Sequence, residues 1–176
     1  MNHVIAGRPE AGEYAPYYQA YIDRVSGNDP IAALTTQTPL VDALLNRIDP
    51  ATARHRYAPE KWSVREVIGH VTDAERVFAF RALWFARRDP SALPGFDENG
   101  WMPTAAFEAL PIAQVVEAWR SQRAASLSLL RSFGAEAWPL TGIANGKVMS
   151  VRALAFVIAG HEAHHVAVLR ERYGVA

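Results

Sequence analysis

The sequence predicts an all-α fold, a four-helix bundle with one long crossover connection. Most of the chain falls into segments whose apolar residues recur at helical spacing, and these segments begin at residues that commonly cap helices. No strand pattern of any length occurs outside one short segment around Asn145-Gly146. Half of the 176 residues are hydrophobic, which is enough for one sizeable core. We therefore expect a single domain over residues 1–176.

Capping residues and periodicity set the bounds of the predicted helices. Asp29-Pro30 and Thr38-Pro39 each have the form of an N-cap followed by Pro at the first helical position, which predicts a helical turn leading into a second helix. The segment Ser63 to Glu66 has the capping-box form at the start of a long helix. Ser150 and Gly174 are suited to cap the last helix. The predicted helices are 14–25, 40–48 with its preceding turn from residue 31, 63–88, 111–133 and 150–173.

Two connections between these helices have a predicted role. Residues 91–111 form a loop rich in Pro, Gly and acidic residues, and its length suggests a lid or a pocket wall. Phe96 and Trp101 within it are candidate pocket residues, and packing of the same rings into the core is the alternative. Asn145-Gly146 between short apolar flanks predicts a small two-stranded β-hairpin.

Composition excludes several classes of partner. Lys plus Arg and Asp plus Glu both number 18 and no basic block stands out, so we expect no nucleic-acid binding. The absence of cysteine excludes disulfides, thiolate ligands and a protein thiol nucleophile, so any metal must be held by nitrogen and oxygen. No apolar run approaches the ~20 residues that span a bilayer, and the first residues lack the pattern of a secretory leader. These features predict a cytoplasmic protein without a membrane partner.

Three histidines form a candidate metal site. His161 and His165 are four residues apart on the last helix, on a stripe that is apolar at both ends. His70 lies among apolar neighbours on the helix 63–88. An unpaired polar group in a dry core costs about 1–3 kcal/mol, so two adjacent histidines there favour a shared ligand. Three imidazoles with a fourth position open are typical of a catalytic metal site, and these nitrogens admit Zn, Ni, Cu or Fe.

Neighbouring residues leave alternatives open. His164 is a rival ligand because an i,i+3 pair with His161 can also chelate, but it lies nearer the edge of the apolar face. Asp73, one turn after His70, is either a partner that accepts a ring N–H or an ordinary surface carboxylate. A single histidine such as His70 is by itself more often a hydrogen-bonded core residue than a ligand.

The last helix also contains the zincin protease pattern HExxH. It reads His161-Glu162-Ala163-His164-His165, and the glutamate is the general base in such proteases. Only eleven residues follow His165, however, so a downstream third ligand is hard to place. The last helix is expected to turn Glu162 away from the metal site. A protease is therefore a disfavoured alternative.

Three segments of the chain together match the pattern of a known family. They are KWSVREVIGHVTDAERVFAFRAL (Lys61 to Leu83), LPGFDENGW (Leu93 to Trp101) and MSVRALAFVIAGHEAHHVAVLRERY (Met149 to Tyr173). With these segments the sequence resembles the DinB/YfiT-like metal-dependent enzymes. The resemblance extends over almost the whole chain after the first predicted helix. Its signature is one histidine in the second core helix and HxxxH in the last.

The resemblance implies a four-helix bundle that holds nickel or zinc through the residues matching His70, His161 and His165. Similar proteins include thiol S-transferases, which attach low-molecular-weight bacterial thiols to electrophiles, and others described as hydrolases. Homodimers occur among them, and balanced charge with apolar helix faces agrees with a homodimer here. The substrate residues of the family do not carry over to this chain.

Two classes of function follow for this site. The first is an enzyme, a thiol S-transferase or a hydrolase, in which a metal with a free position lowers the pKa of a small thiol or of water. The second is a non-catalytic metal-binding or sensing bundle. The enzyme is favoured because no DNA-binding or other output element is visible in the sequence.

Overall fold

A computed structural model describes residues 6–176, and most of these residues are helical. Short 3₁₀ turns lie between some of the elements, at Pro16–Tyr18, Met102–Thr104, Phe107–Ala109 and Ala135–Ala137. The elements in chain order are α1 (Gln19–Ile22), α2 (Pro30–Leu45), α3 (Pro50–Arg54), α4 (Val64–Ala86), α5 (Glu98–Trp101), α6 (Ile112–Arg131), β1 (Thr141–Ala144), β2 (Lys147–Ser150) and α7 (Val151–Tyr173).

The four long helices α2, α4, α6 and α7 form the bundle. Helix α4 packs against α7 and α6, while α2 packs against α6 and α7 on the other side. The short helix α1 crosses α7. The apolar core consists of two clusters. On α4 the boundary between them lies between Val71 and Ala74, and on α7 it lies between Ala159 and Leu169. The four-helix bundle predicted from periodicity is thus confirmed, and a polar layer divides its core.

Local caps begin and end the helices as predicted. Ser63 accepts a hydrogen bond from the Glu66 amide at 3.3 Å, and the Glu66 carboxylate accepts one from the Ser63 amide at 2.7 Å. Ser150 caps α7 by accepting from the Ala153 amide at 3.0 Å. Gly174 ends the same helix with a φ of 67°, in the left-handed region that glycine adopts without strain.

The predicted break at Thr38-Pro39 is wrong, because α2 runs through both residues. The Thr38 hydroxyl donates back to the Leu34 carbonyl at 2.7 Å and so does not cap a new helix. Residues on both sides of Pro39 are buried along the same face, including Leu34 and Val41. Packing of this continuous face outweighs the missing proline N–H.

Two other sequence-based bounds also differ. The first predicted helix, 14–25, is only a 3₁₀ turn followed by the single turn of α1. The Arg8 guanidinium donates to the carbonyls of Ile22 and Val25 at 2.9 and 2.7 Å, which satisfies the end of this short helix. The segment after α2, predicted as a loop, contains α3, whose N-cap Asp49 accepts from the Thr52 amide at 2.7 Å.

The predicted hairpin is present and joins the crossover loop. Strands β1 and β2 pair antiparallel, and the turn residues Asn145 and Gly146 have φ values of 52° and 68°, as a two-residue hairpin turn requires. The Leu93 amide donates to the Ile143 carbonyl at 2.9 Å, and the Asn145 amide donates to the Leu93 carbonyl at 3.0 Å. The crossover loop therefore adds one parallel bridge to the edge of β1. Among the described residues, no helix is long and apolar enough to cross a membrane.

Candidate metal centre

The three predicted ligands meet between α4 and α7, in the polar layer of the core. His161 and His165 are on successive turns of α7, and His70 is on the facing side of α4. The Nε2 atom of His161 lies 3.1 Å from Nε2 of His70 and 3.1 Å from Nε2 of His165. One ligand atom from each ring lies within 4.8 Å of the others.

This arrangement fits a metal ion better than hydrogen bonding among the rings. An imidazole nitrogen has one lone pair or one proton, so Nε2 of His161 can form a hydrogen bond with only one of its two neighbours. Zinc–nitrogen bonds of ~2.0–2.1 Å place two ligand atoms about 3.4 Å apart in tetrahedral geometry, close to the separations found here. One metal ion would satisfy all three nitrogens at once.

Burial also favours the ligand form of the rings. It lowers the pKa of His70 to about 4 and that of His161 to about 3, because a charged ring is disfavoured away from water. Burial and the neighbouring His161 and His70 lower the pKa of His165 as well. All three rings are therefore neutral at pH 7, and a neutral imidazole is the metal-binding form.

Asp73 and His164 lie near the site without joining the cluster. The Asp73 carboxylate accepts from Arg76 at 2.7 Å, and the hydrogen bonds of the described residues include none between it and His70. Its charge does act on His70 by opposing the fall in that pKa. His164 is half-buried and packs its ring edge against Tyr21, with 5.6 Å between ring centroids. The Nδ1 atom of His165 is buried without a hydrogen-bond partner in the described residues.

Glu162 faces away from the three histidines, as expected, but it is not at the surface. It is buried, and it accepts from Trp119 Nε1 at 2.8 Å and from both terminal nitrogens of Arg123 at 2.7 and 2.9 Å. Arg123 also donates to both oxygens of the buried Glu75. This network of α4, α6 and α7 was missed from the sequence. A carboxylate held there cannot act as the base of a zincin, which excludes that alternative.

A pocket of about 510 Å³ opens over the three histidines. Of the two candidate pocket residues in the crossover loop, Phe96 forms part of the wall. Trp101 does not line this pocket and lies behind Phe96, with 5.3 Å between ring centroids. The other lining residues come from four separate segments and were not predicted from the sequence. They include Tyr17, Tyr18 and Tyr21 around α1, Trp62, Phe78 and Arg81 on or before α4, Glu98 and Asn99 in α5, and Asn145 and Lys147 in the hairpin.

Comparison with known proteins identifies the family. The sequence pattern of the DinB superfamily matches residues 33–169, which include α4, α6, most of α2 and α7, and all three histidines. This chain belongs to the DinB superfamily. No curated protein matches the sequence.

A solved structure has a fold similar to that of this DinB superfamily protein. YfiT from Bacillus subtilis aligns over 98% of this chain and 100% of its own, with a TM-score of 0.74 and 17% sequence identity. It is described as a probable metal-dependent hydrolase with an unusual four-helix bundle topology. At this identity the likeness concerns the fold, which agrees with the bundle described above.

Metal binding by this DinB superfamily protein can be tested with two neighbouring histidines of α7. We expect His165→Ala to weaken binding of Zn or Ni by more than about 100-fold, because loss of a ligand exceeds the 10–100-fold effect of outer partners. His164→Ala is the matched control, and it should retain about one metal per chain. Elemental analysis of untagged protein and competition with a chelator measure both variants. Equal loss in the two variants, or no binding to the wild type, would contradict this assignment.

Proposed function

We propose that this protein is a metal-dependent enzyme in which His70, His161 and His165 hold one divalent ion, nickel or zinc, beneath a small-molecule pocket. The observation that supports it is the convergence of three neutral imidazoles on the floor of a 510 Å³ pocket. A metal bound there would supply Lewis acidity and would lower the pKa of a water or thiol ligand. The chain itself contains no cysteine, so a thiol nucleophile must come from a substrate.

The walls of the pocket suit a reaction that excludes bulk water. Trp62, Phe78 and Phe96 supply aromatic surface above the histidines. Burial raises the pKa of Tyr18 and of Tyr21, so both phenols are protonated at pH 7 and can donate hydrogen bonds to a substrate. These residues would orient and enclose a small substrate over the metal site.

Two reactions are compatible with this proposed site. Hydrolysis is supported by the description of YfiT, whose fold this chain has. Transfer of a low-molecular-weight thiol to an electrophile is supported by the resemblance to thiol S-transferases. A non-catalytic metal-binding protein is the alternative to both, and the pocket next to the histidines favours catalysis over it.

One experiment separates these functions. Protein loaded with Zn or Ni is given a panel of small thiols with monochlorobimane, and in parallel a panel of small esters and amides without thiol. We expect metal-dependent turnover in one of the two panels, reduced at least about 100-fold in His161→Ala, because that variant lacks the central ligand. Product formation is followed by fluorescence or by mass spectrometry.

The matched control for that experiment is His55→Ala. His55 lies at the end of α3 outside the pocket, so its loss should leave turnover unchanged. Conjugation would identify a transferase, and release of acid from the esters or amides would identify a hydrolase. Full metal binding without turnover in either panel would contradict the enzyme and favour the binding protein.

A further inference from the structure

One arginine in the pocket wall is buried without a carboxylate partner. Arg81 on α4 has 3% of its surface exposed and lies within 4.0 Å of no acidic side chain in residues 6–176. The other two buried arginines are paired there, Arg65 with Glu108 and Arg123 with Glu75 and Glu162. A buried charge without an opposite charge is costly, so the exception calls for an explanation.

The contacts of Arg81 fix the guanidinium but do not neutralise it. One terminal nitrogen donates to the Pro94 carbonyl at 2.8 Å, and the guanidinium carbon lies 5.6 Å from the centre of the Phe96 ring and 6.0 Å from that of Phe78. Stacking on aromatic rings favours the cation but supplies no negative charge. The Tyr18 hydroxyl also accepts a hydrogen bond from the guanidinium. None of its nitrogens is both buried and unpaired, so the N–H groups that neither Pro94 nor Tyr18 accepts face the pocket that Arg81 lines.

The charge of the pocket lining agrees with an anionic ligand. Lys147, exposed at the tip of the hairpin, lines the same pocket as a second cation, and Glu98 is the one acidic residue among the described lining residues. Among residues 6–176, neither Arg81 nor Lys147 forms an ion pair with Glu98. With neutral histidines the lining has a net positive charge, and a divalent metal would increase it.

We propose that Arg81 binds a carboxylate group of the substrate and holds the reacting bond over the three histidines. The planar guanidinium presents two parallel N–H groups, a geometry that matches a carboxylate. Arg81 and His161 each lie 6.0 Å from the centre of the Phe78 ring, so no more than twice that distance separates them. The substrate is then a small organic acid whose carboxylate and reactive group are no farther apart than this distance allows. The statement that this acid is a substrate rests on the proposed function, whereas the carboxylate site at Arg81 does not.

Direct binding tests this proposal without turnover. Glutarate and its neutral diamide, glutaramide, are titrated into the full chain after removal of metal by a chelator, and again with metal loaded. The stripped protein is essential because a carboxylate can also bind a metal ion. We expect glutarate to bind the stripped protein at least about 10-fold more tightly than glutaramide does, as isothermal titration calorimetry would measure.

Variants of two arginines on α4 assign the effect to one side chain. Arg81→Met should weaken glutarate binding by at least about 10-fold. Arg81→Lys should retain part of the affinity, because lysine keeps the positive charge but lacks the two parallel N–H donors of the guanidinium. Arg76→Met is the control, since Arg76 is exposed, paired with Asp73 and outside this pocket. Circular dichroism checks that each variant is folded, and Arg81→Lys maintains the test if Arg81→Met does not fold.

Two outcomes would overturn the proposal. The first is that the wild type does not bind glutarate, or that both Arg81 variants bind it as tightly as the wild type does. Either result would leave Arg81 with a purely structural role at Pro94. The second is tighter binding of inorganic phosphate than of glutarate to the stripped protein, which would overturn the assignment to a carboxylate. Neither outcome depends on turnover, so failure here is distinguishable from failure of the proposed enzyme.

Discussion

Replacement of Arg123 by methionine should lower the free energy of unfolding by about 3–5 kcal/mol. Arg123 is 1% exposed and forms four hydrogen bonds to the carboxylates of Glu75 and Glu162. Methionine approximates the length of the side chain but leaves two carboxylates buried without an opposite charge. The loss would be a large part of the 5–15 kcal/mol that stabilises a typical domain. Urea unfolding at pH 7 measures it.

Arg120→Met is the control for this prediction. Arg120 is on the same helix, and it pairs with Asp42 at a position where both side chains are about one third exposed. Solvent screens such a pair, so the change should be at most about 1 kcal/mol. Equal effects of the two substitutions would contradict a special role for the buried network.

The pH dependence gives a second check on the same variant. Burial already raises the pKa of Glu162 against the opposing effect of Arg123, and loss of Arg123 would raise it further. A folded-state pKa above the unfolded value means that the folded protein binds protons first as the pH falls. The variant should therefore regain stability relative to wild type between pH 7 and pH 5. Glu162→Gln in the Arg123→Met background should recover part of the loss at pH 7.

Gly160→Ala should destabilise the protein by about 1–3 kcal/mol, although alanine is normally the better helix former by ~1 kcal/mol. A Cβ atom at this position would overlap the carbonyl oxygen of Tyr21 and would also meet its carbonyl carbon. These are backbone atoms, so no rotamer change can relieve the overlap. Helix α1 would have to move away from α7 and would take the Tyr21 ring away from His161.

Gly69→Ala on α4 is the matched control. A Cβ atom there would meet only the outer ring atoms of Phe107, a partly buried side chain that can rotate. Unfolding in urea should show a much smaller loss for this variant than for Gly160→Ala. A stabilising effect of Gly160→Ala would contradict the close backbone packing of α1 on α7.

Features that depend on a few adjacent residues could be predicted from the sequence. Ser63 and Ser150 cap their helices as expected, and the Asn145-Gly146 turn forms the predicted hairpin. The convergence of the histidines also follows from local geometry, because His161 and His165 are one turn apart on a helix whose apolar face must be buried. The third histidine, His70, could be assigned to the same face of the bundle by the same argument.

Features that depend on pairing between distant segments could not be predicted. Arg123 and Glu162 are 39 residues apart in the sequence, and nothing near either residue indicates that their side chains form an ion pair in the core. The pocket tyrosines are positioned by the approach of α1 to Gly160, which is a contact between the two ends of the chain. At Thr38-Pro39 a local signal was misleading, because burial of one continuous helix face outweighed it.

The two backbone hydrogen bonds of Leu93 have a consequence for access to the pocket. They join the crossover loop to the hairpin, although about fifty residues separate the two in the sequence. Phe96 belongs to the crossover loop, and Asn145 and Lys147 belong to the hairpin, so hydrogen bonds join these two walls of the pocket to each other. A ligand that moves the crossover loop away from the hairpin would have to break both of these hydrogen bonds. Access to the histidines from this side therefore depends on the two segments together.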